Sequence, residues 1–491
     1  MDLQGKLLFP IGIITCLVYA NAFSGDFHYD DYSSILSNGH LTNWETFAEH
    51  LDHMVRPFLH ATFLIDRSLY GNNPAGYHLL NLLLHLGSGL LVYGILTRAA
   101  AEDTKTVPLW TALLFLLHPI QTETVTYILG RASGLMAFCY LLTLFLYIKA
   151  AEDTSRPAAG RLYRTGAGLC FLLSIASKEP AITFPLALLL WDVVVRRLRG
   201  SALRAAILSH HSPFWLISVC MGILAWLHPR YADLAQFSLG IRPLWDNLLS
   251  ELHAVTAGLL LFLCPWKQNF DHDLPLLRSL FEWPLPLELL AWSGLSGAAV
   301  AMARQRPLIS FSIGWFALQM LPTTIIPRSD LLSERNLYLA SIGVLLVLVF
   351  LGTQFTRWLV AAVRHPRLIQ AGAGTVALAL ICGLSILTYQ RNALYRDPIL
   401  LWSDTVEKSP QKARPHNNLG HAYLLRDDWE RAIEEFRIAV RLDPDYALAQ
   451  KNLRAAYLHR SDDKISAPPR SRPATPPVHT AADCSPVPSD L

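Results

Sequence analysis

The chain has 491 residues, of which 52% are hydrophobic and 16% charged, with a mean hydropathy of +0.30. Soluble domains average about 25% charged residues, so the composition excludes an ordinary soluble protein. A formal net charge of +3 is too small to imply nucleic acid as a partner.

Length alone suggests roughly three domains. Apolar runs nevertheless recur from Leu7 to Leu387, and one large polytopic α-helical membrane domain over 1–388 is the simpler reading. A bilayer-spanning helix needs about 20 mostly apolar residues. Hydropathy predicts about eleven transmembrane helices, at 7–24, 76–97, 108–120, 132–150, 165–177, 180–195, 213–228, 285–303, 307–321, 337–354 and 370–388.

The first, "LLFPIGIITCLVYANAF", is followed by no small-residue cleavage site and reads as a retained helix. Just past it stands "FHYDDYSSILSNGH", with Asp30 and Asp31 side by side. The loop 25–75 that they open is too long for a connector and rich in polar and aromatic residues, so it is expected to be functional.

Further on, Arg and Lys recur in alternate loops: Arg98 and Lys105, Arg156 to Arg164, "RRLRG" at 196–200, Arg304 and Arg306, then Arg357 to Arg367. Placing these inside gives a cytoplasmic N-terminus and an external C-terminus. The stretch 165–195 tests the map. As one span it would bury Lys178 and Glu179 in lipid; as two short helices meeting at "SKEP" it sets both at the outer surface, at lower cost. The apolar stretch 247–263 would break the parity if it crossed, and is expected to be re-entrant or to lie along the membrane.

After Leu387 the character changes. "ARPHNNLGHAYLLRDDWERAIEEFRIAVRLDPDY" has Leu419, Gly420, Tyr423, Trp429, Ala432, Phe436, Ala439 and Pro444 where a tetratricopeptide repeat places packing residues. Flanking helices supply its neighbours, so 389–460 is expected to be a repeat module. Residues 461–491 are rich in Pro and Ser and are expected to be disordered. The seven cysteines form no CxxC pair and no His/Cys cluster. No N-x-S/T sequon occurs, which fits a bacterial chain.

On this map one membrane face collects the chemistry. It holds Asp30, Asp31, Arg56, His118, Glu123, Arg131, Lys178, Glu179, Asp271, His272, Asp273, Glu334 and Arg335, all in loops that begin or end helices. Neighbouring carboxylates raise each other's pKa, which suits one of them as a general base. Arg and Lys hold phosphate. Each group also has a plainer reading. The Asp pair could cap a helix. Lys178–Glu179 and Glu334–Arg335 could be structural ion pairs, and His118 before Pro119 could simply end a helix. "DHD" at 271–273 offers oxygen ligands of the kind a divalent cation takes, but a solvated loop is the favoured reading, so no metal or other cofactor is expected.

"YDD", "RPFLHATFLIDRSLYGNNPAGYHLLNLLLH", "LLFLLHPIQTETVTYILGRAS", "SKEPAIT", "FDHD" and "SERNLYLASIGVLL" occur in this order. Together with the repeat they resemble the transmembrane-and-tetratricopeptide-repeat O-mannosyltransferases and their bacterial relatives, up to about Arg460. The resemblance implies a multi-spanning GT-C glycosyltransferase fold and a polyprenyl-phosphate sugar donor. It implies Asp30 or Asp31 as catalytic base and Glu123 as a second acid. Arg56, Arg131, Lys178 and Arg335 would bind the donor phosphate. His118, Glu179, Asp271, His272, Asp273 and Glu334 complete the candidate site. Partners would be the lipid bilayer and a protein acceptor reached through the repeat. "GRAS" departs from the pattern, with Ser133 where an acid is expected, and only one repeat is complete. The expected function is transfer of a sugar to protein Ser/Thr hydroxyls outside the cytoplasm, in a bacterial inner membrane with the C-terminal repeat periplasmic. A glycosyltransferase acting on glycan or lipid, and a non-catalytic membrane scaffold, are the alternatives.

Overall fold

A computed structural model describes residues 3–101, 104–153, 156–363 and 366–466. Among them all regular structure is helical. Eight helices are long and apolar enough to cross a membrane: Gly5–Ser24, Pro74–Ala99, Ile128–Glu152, Gly200–Leu227, Leu285–Met302, Pro307–Ile325, Glu334–Ala362 and Pro366–Leu394. They match eight of the eleven predicted spans. The other three fall on Val107–Leu117, Pro157–Ile175 and the broken segment Glu179–Val195. Phe184, Ala187 and Leu188 in that segment are fully buried, so they are apolar because they belong to the protein core. The stretch 247–263 lies mostly in Leu244–Leu260, which is likewise outside the eight.

Helices Leu285–Met302 and Pro366–Leu394 are only 11% buried over their apolar windows, and Trp226 is 86% exposed. Outward apolar faces of this kind are what acyl chains require, and the chain is a multi-pass membrane protein. The core lies among Pro74–Ala99, Val107–Leu117, Arg131–Glu152, Pro307–Ile325 and Leu337–Ala362, with Tyr140, Trp315 and Tyr338 fully buried.

The chain breaks at "SKEP": the helix ends at Ile175, Lys178 is extended, and a turn restarts with Pro180 at its head. After Leu394 the chain turns into four shorter helices, Pro398–Lys408, Ala413–Leu424, Trp429–Leu442 and Ala447–Ser466, each packed against the next. Asp427 takes a positive φ of 58° at the turn between the second and third, a position that favours glycine. The last helix continues through 461–466, where disorder was expected; 467–491 lie outside the described residues.

Candidate active site

The helix ends at one face build the site. Asp30 and Asp31 follow Tyr29, which takes a positive φ of 48°. Both are buried, at 2% and 0% exposure. Asp31 Oδ2 accepts the His28 N–H and Oδ1 the Leu129 N–H, each at 2.9 Å, tying the first loop to the segment before Arg131. Burial, then Asp30, push the Asp31 carboxyl well above the usual carboxylate range, although its two N–H partners and Arg335 pull the other way.

Glu123 lies in a single helical turn, Thr122–Val125. The chain folds back so tightly there that a Cβ at Gly130 would lie 2.2 Å from the Glu123 carbonyl oxygen, so only glycine fits. The Glu123 carboxylate accepts from Ser333 Oγ and from the Arg335 N–H, each at 3.1 Å, and the Arg335 guanidinium stands 3.7 Å away. Burial raises the Glu123 pKa, with Arg335 opposing. Arg335 also stacks 5.6 Å from the Tyr127 ring.

Three more cations gather near Arg335. Arg56 grips Glu179 with both arms, at 2.9 and 3.0 Å. Burial opposes the Glu179 charge, but Arg56 holds its carboxyl below the usual value. Lys178 Nζ donates to Ser133 Oγ at 2.8 Å and Asn336 Oδ1 at 2.9 Å. Burial, then Arg328, Arg335 and Arg56, hold its ammonium well below the ordinary lysine pKa. Arg328 is pushed down to about 10 by burial and by Arg56. A cavity of about 20 Å³ opens here, with Ser133, Lys178, Gln319 and Arg335 among its lining. Helix Pro229–Ile241 roofs the cluster: Tyr231 Oη donates to the Val55 carbonyl at 3.1 Å, and Ser238 to that of Pro327.

Sequence reasoning missed Arg328. It lies in the same interhelical loop as Arg335, directly after Pro327, and that position was the available signal. Arg131 is not brought into the cluster. Its guanidinium donates to Asn81 Oδ1 at 2.7 Å, Thr62 Oγ1 at 3.2 Å and the Tyr77 carbonyl at 2.8 Å, and pairs with Asp66 at 2.6 Å over the Phe63 ring. It locks Pro57–Tyr70 to the two long helices beside it. His118 caps its own turn through Nδ1 and the Ile120 N–H, with Nε2 against the Phe262 carbonyl.

The "DHD" segment and Glu334 serve a joint. Glu334 accepts the Asn269 N–H at 2.6 Å and Gln268 Nε2 at 2.8 Å, and pairs with His272 at 2.9 Å. Asp271 receives Lys412 at 2.5 Å and Arg414 at 2.7 Å. Asp273 is exposed. Among the described residues no group of three or more His, Cys, Asp or Glu is placed to hold a metal ion. The joint sets the C-terminal helices beside the acid pair: Tyr29 packs edge-on against Trp402 at 5.7 Å and Phe270 at 6.5 Å.

No family model matches the chain. Among curated proteins it is similar to protein O-mannosyl-transferase Tmtc3 of Drosophila melanogaster, 28% identical over 88% of this chain and 54% of that one. It is also similar to protein O-mannosyl-transferase TMTC4 of Homo sapiens, 25% identical over 84% and 63%, and to TMTC2 of Mus musculus, 29% identical over 57% and 37%. The chain thus spans about half the length of the curated relatives it matches. Among solved structures, ArnT from Cupriavidus metallidurans bound to undecaprenyl phosphate matches at a TM-score of 0.37 and 14% identity, over 84% of this chain and 81% of that one.

Proposed function

We propose that the chain is a membrane glycosyltransferase that moves a sugar from a polyprenyl-phosphate donor to protein Ser/Thr hydroxyls outside the cytoplasm. The observation that carries this is the position of Arg335, which faces the Glu123 carboxylate with its N–H and guanidinium and lines the same cavity as Lys178. A base for a hydroxyl and a pocket for a phosphate therefore share one cation at one membrane face. The names of the curated relatives, O-mannosyl-transferases, support the same reaction.

Asp31 has both oxygens committed to backbone N–H groups, so the base is assigned to Asp30. It takes the acceptor proton as the hydroxyl oxygen bonds to the sugar's anomeric carbon. The bond from that carbon to the donor phosphate breaks, and the lipid phosphate leaves with the electron pair. Arg56, Lys178, Arg328 and Arg335 stabilise the charge that develops there, the kind of preorganised electrostatics that dominates such steps. Glu123 holds Arg335 in place, and Arg131 is reassigned to packing.

The opposite end of the helices fits a cytoplasmic side. Arg98 pairs with Glu152, and Arg197 reaches the Arg304 carbonyl there. A bacterial inner membrane with a cytoplasmic N-terminus agrees with this distribution. Residues 398–466 read as a tetratricopeptide-type module that guides a protein acceptor toward Asp30. Mass spectrometry of envelope proteins from cells with and without the chain tests the proposal. Loss of hexose from Ser/Thr peptides is expected. A change confined to glycans or lipids would favour that acceptor class, and no change at all would favour the scaffold.

A further inference from the structure

Beside the cation cluster lies a second polar group that the proposed reaction does not yet use. Arg242 is an extended residue between helices Pro229–Ile241 and Leu244–Leu260. Asn247 and Glu251 follow at an i,i+4 spacing, on one face of the second helix. All three are more than nine-tenths buried, at 8%, 0% and 1% exposure. Arg242 Nε and Nη2, Asn247 Oδ1 and Glu251 Oε1 nevertheless have no hydrogen-bond partner among the described residues. Native proteins rarely leave such atoms unpaired, because a buried polar group without a partner is costly unless something fills the site.

The Asn247 amide is held in place by its Nδ2–H bond to the Thr324 carbonyl at 2.9 Å, four residues before Arg328. Glu251 and Arg328 lie close enough to influence each other's charge, as do Glu251 and Arg242. Through the Asn247–Thr324 bond the unpartnered set adjoins the segment that leads to Arg328, and it carries mixed chemistry: guanidinium donors, an amide acceptor and a carboxyl. A phosphodiester has no hydrogen to give the Asn247 and Glu251 oxygens, and a metal ion would be repelled by Arg242. A polyol fits, since each hydroxyl both donates and accepts.

We infer that Arg242, Asn247 and Glu251 form a subsite for the hydroxyl groups of the donor's sugar, next to the cations that hold its phosphate. This rests on the donor reading above. The test compares binding of undecaprenyl phosphate, bare or carrying mannose, glucose or N-acetylglucosamine, to the full chain in nanodiscs. The wild type should bind one sugar-bearing lipid more tightly than the bare one. Arg242→Gln and Asn247→Ala should each weaken that lipid by about tenfold or more while leaving the bare lipid unchanged, which also shows that the variants fold. Equal loss for both lipids, no loss for either, or no sugar preference in the wild type would overturn the subsite and leave phosphate binding standing. A wild type that binds none of the lipids would overturn the donor reading itself, and the subsite with it.

Discussion

Asp271 is clamped by Arg414, Nε to Oδ2 at 2.7 Å and Nη2 to Oδ1 at 2.5 Å, across more than 140 residues of chain. Lys412 adds a third bond, and Arg414 extends to Asp330. The C-terminal helices are thus joined to the membrane domain through a buried ion network. Removing one partner of such a pair costs about 3–5 kcal/mol, so Asp271→Ala should lower the thermal midpoint of the full chain in detergent sharply. Truncation after Leu394 should destabilise the membrane domain as well, and would not act as the simple loss of an acceptor platform. Differential scanning fluorimetry of both proteins checks this.

Within those helices, Phe436 and Ala432 are fully buried, and a Cβ at Gly420 would lie 2.8 Å from the Phe436 ring and 3.1 Å from the Ala432 carbonyl oxygen. Phe436→Ala should cost about 3–5 kcal/mol. Gly420→Val should do comparable harm by overpacking, while Gly420→Ala should be the milder of the two. Limited proteolysis between 413 and 442 should reveal both lesions as new cleavage.

Lys178 predicts a pH signature. Burial and three arginines hold its pKa well below the usual lysine value of about 10.4. A bound phosphate anion would favour the ammonium, so binding takes up a proton and donor affinity falls as pH rises through the titration. Undecaprenyl-phosphate mannose is a phosphodiester that does not itself titrate there. Its Kd should therefore rise with pH in the wild type and rise less steeply in Lys178→Met. A flat wild-type profile would remove Lys178 from the phosphate site.

Glu251 sets a stability window. Burial raises its pKa from 4.5 to about 8, so the folded chain binds the proton more tightly than the unfolded one. That contribution is present below about 4.5 and is lost as pH rises through 8. Glu251→Gln should flatten the fall in thermal midpoint between pH 5 and 8. An unchanged slope would mean that Glu251 is ionised in the folded chain.

The gathering of acids and bases at one face was legible because each motif lies at a helix end, and hydropathy orders the ends. What was not legible depended on distant partners. Asp66 and Asn81 decide that Arg131 is a packing residue, and nothing local in "GRAS" announces them. Lys412 and Arg414 decide that "DHD" is a joint. Hydropathy also cannot tell a helix facing lipid from one facing protein, so it could not announce that Phe184, Ala187 and Leu188 within 180–195 are fully buried in the core.

The most direct test of the central claim is sugar transfer from polyprenyl-phosphate mannose to a Ser/Thr-containing acceptor protein by the purified chain, with Asp30→Asn and Asp31→Asn alongside. Asp30→Asn should fold normally, bind donor as the wild type does, and lose turnover by about 10²–10⁴-fold, since an amide cannot take the proton. Asp31→Asn offers one acceptor oxygen where two N–H groups need partners, so it should lose about 1–3 kcal/mol of stability. Wild-type turnover in Asp30→Asn, with donor still bound, would contradict the account.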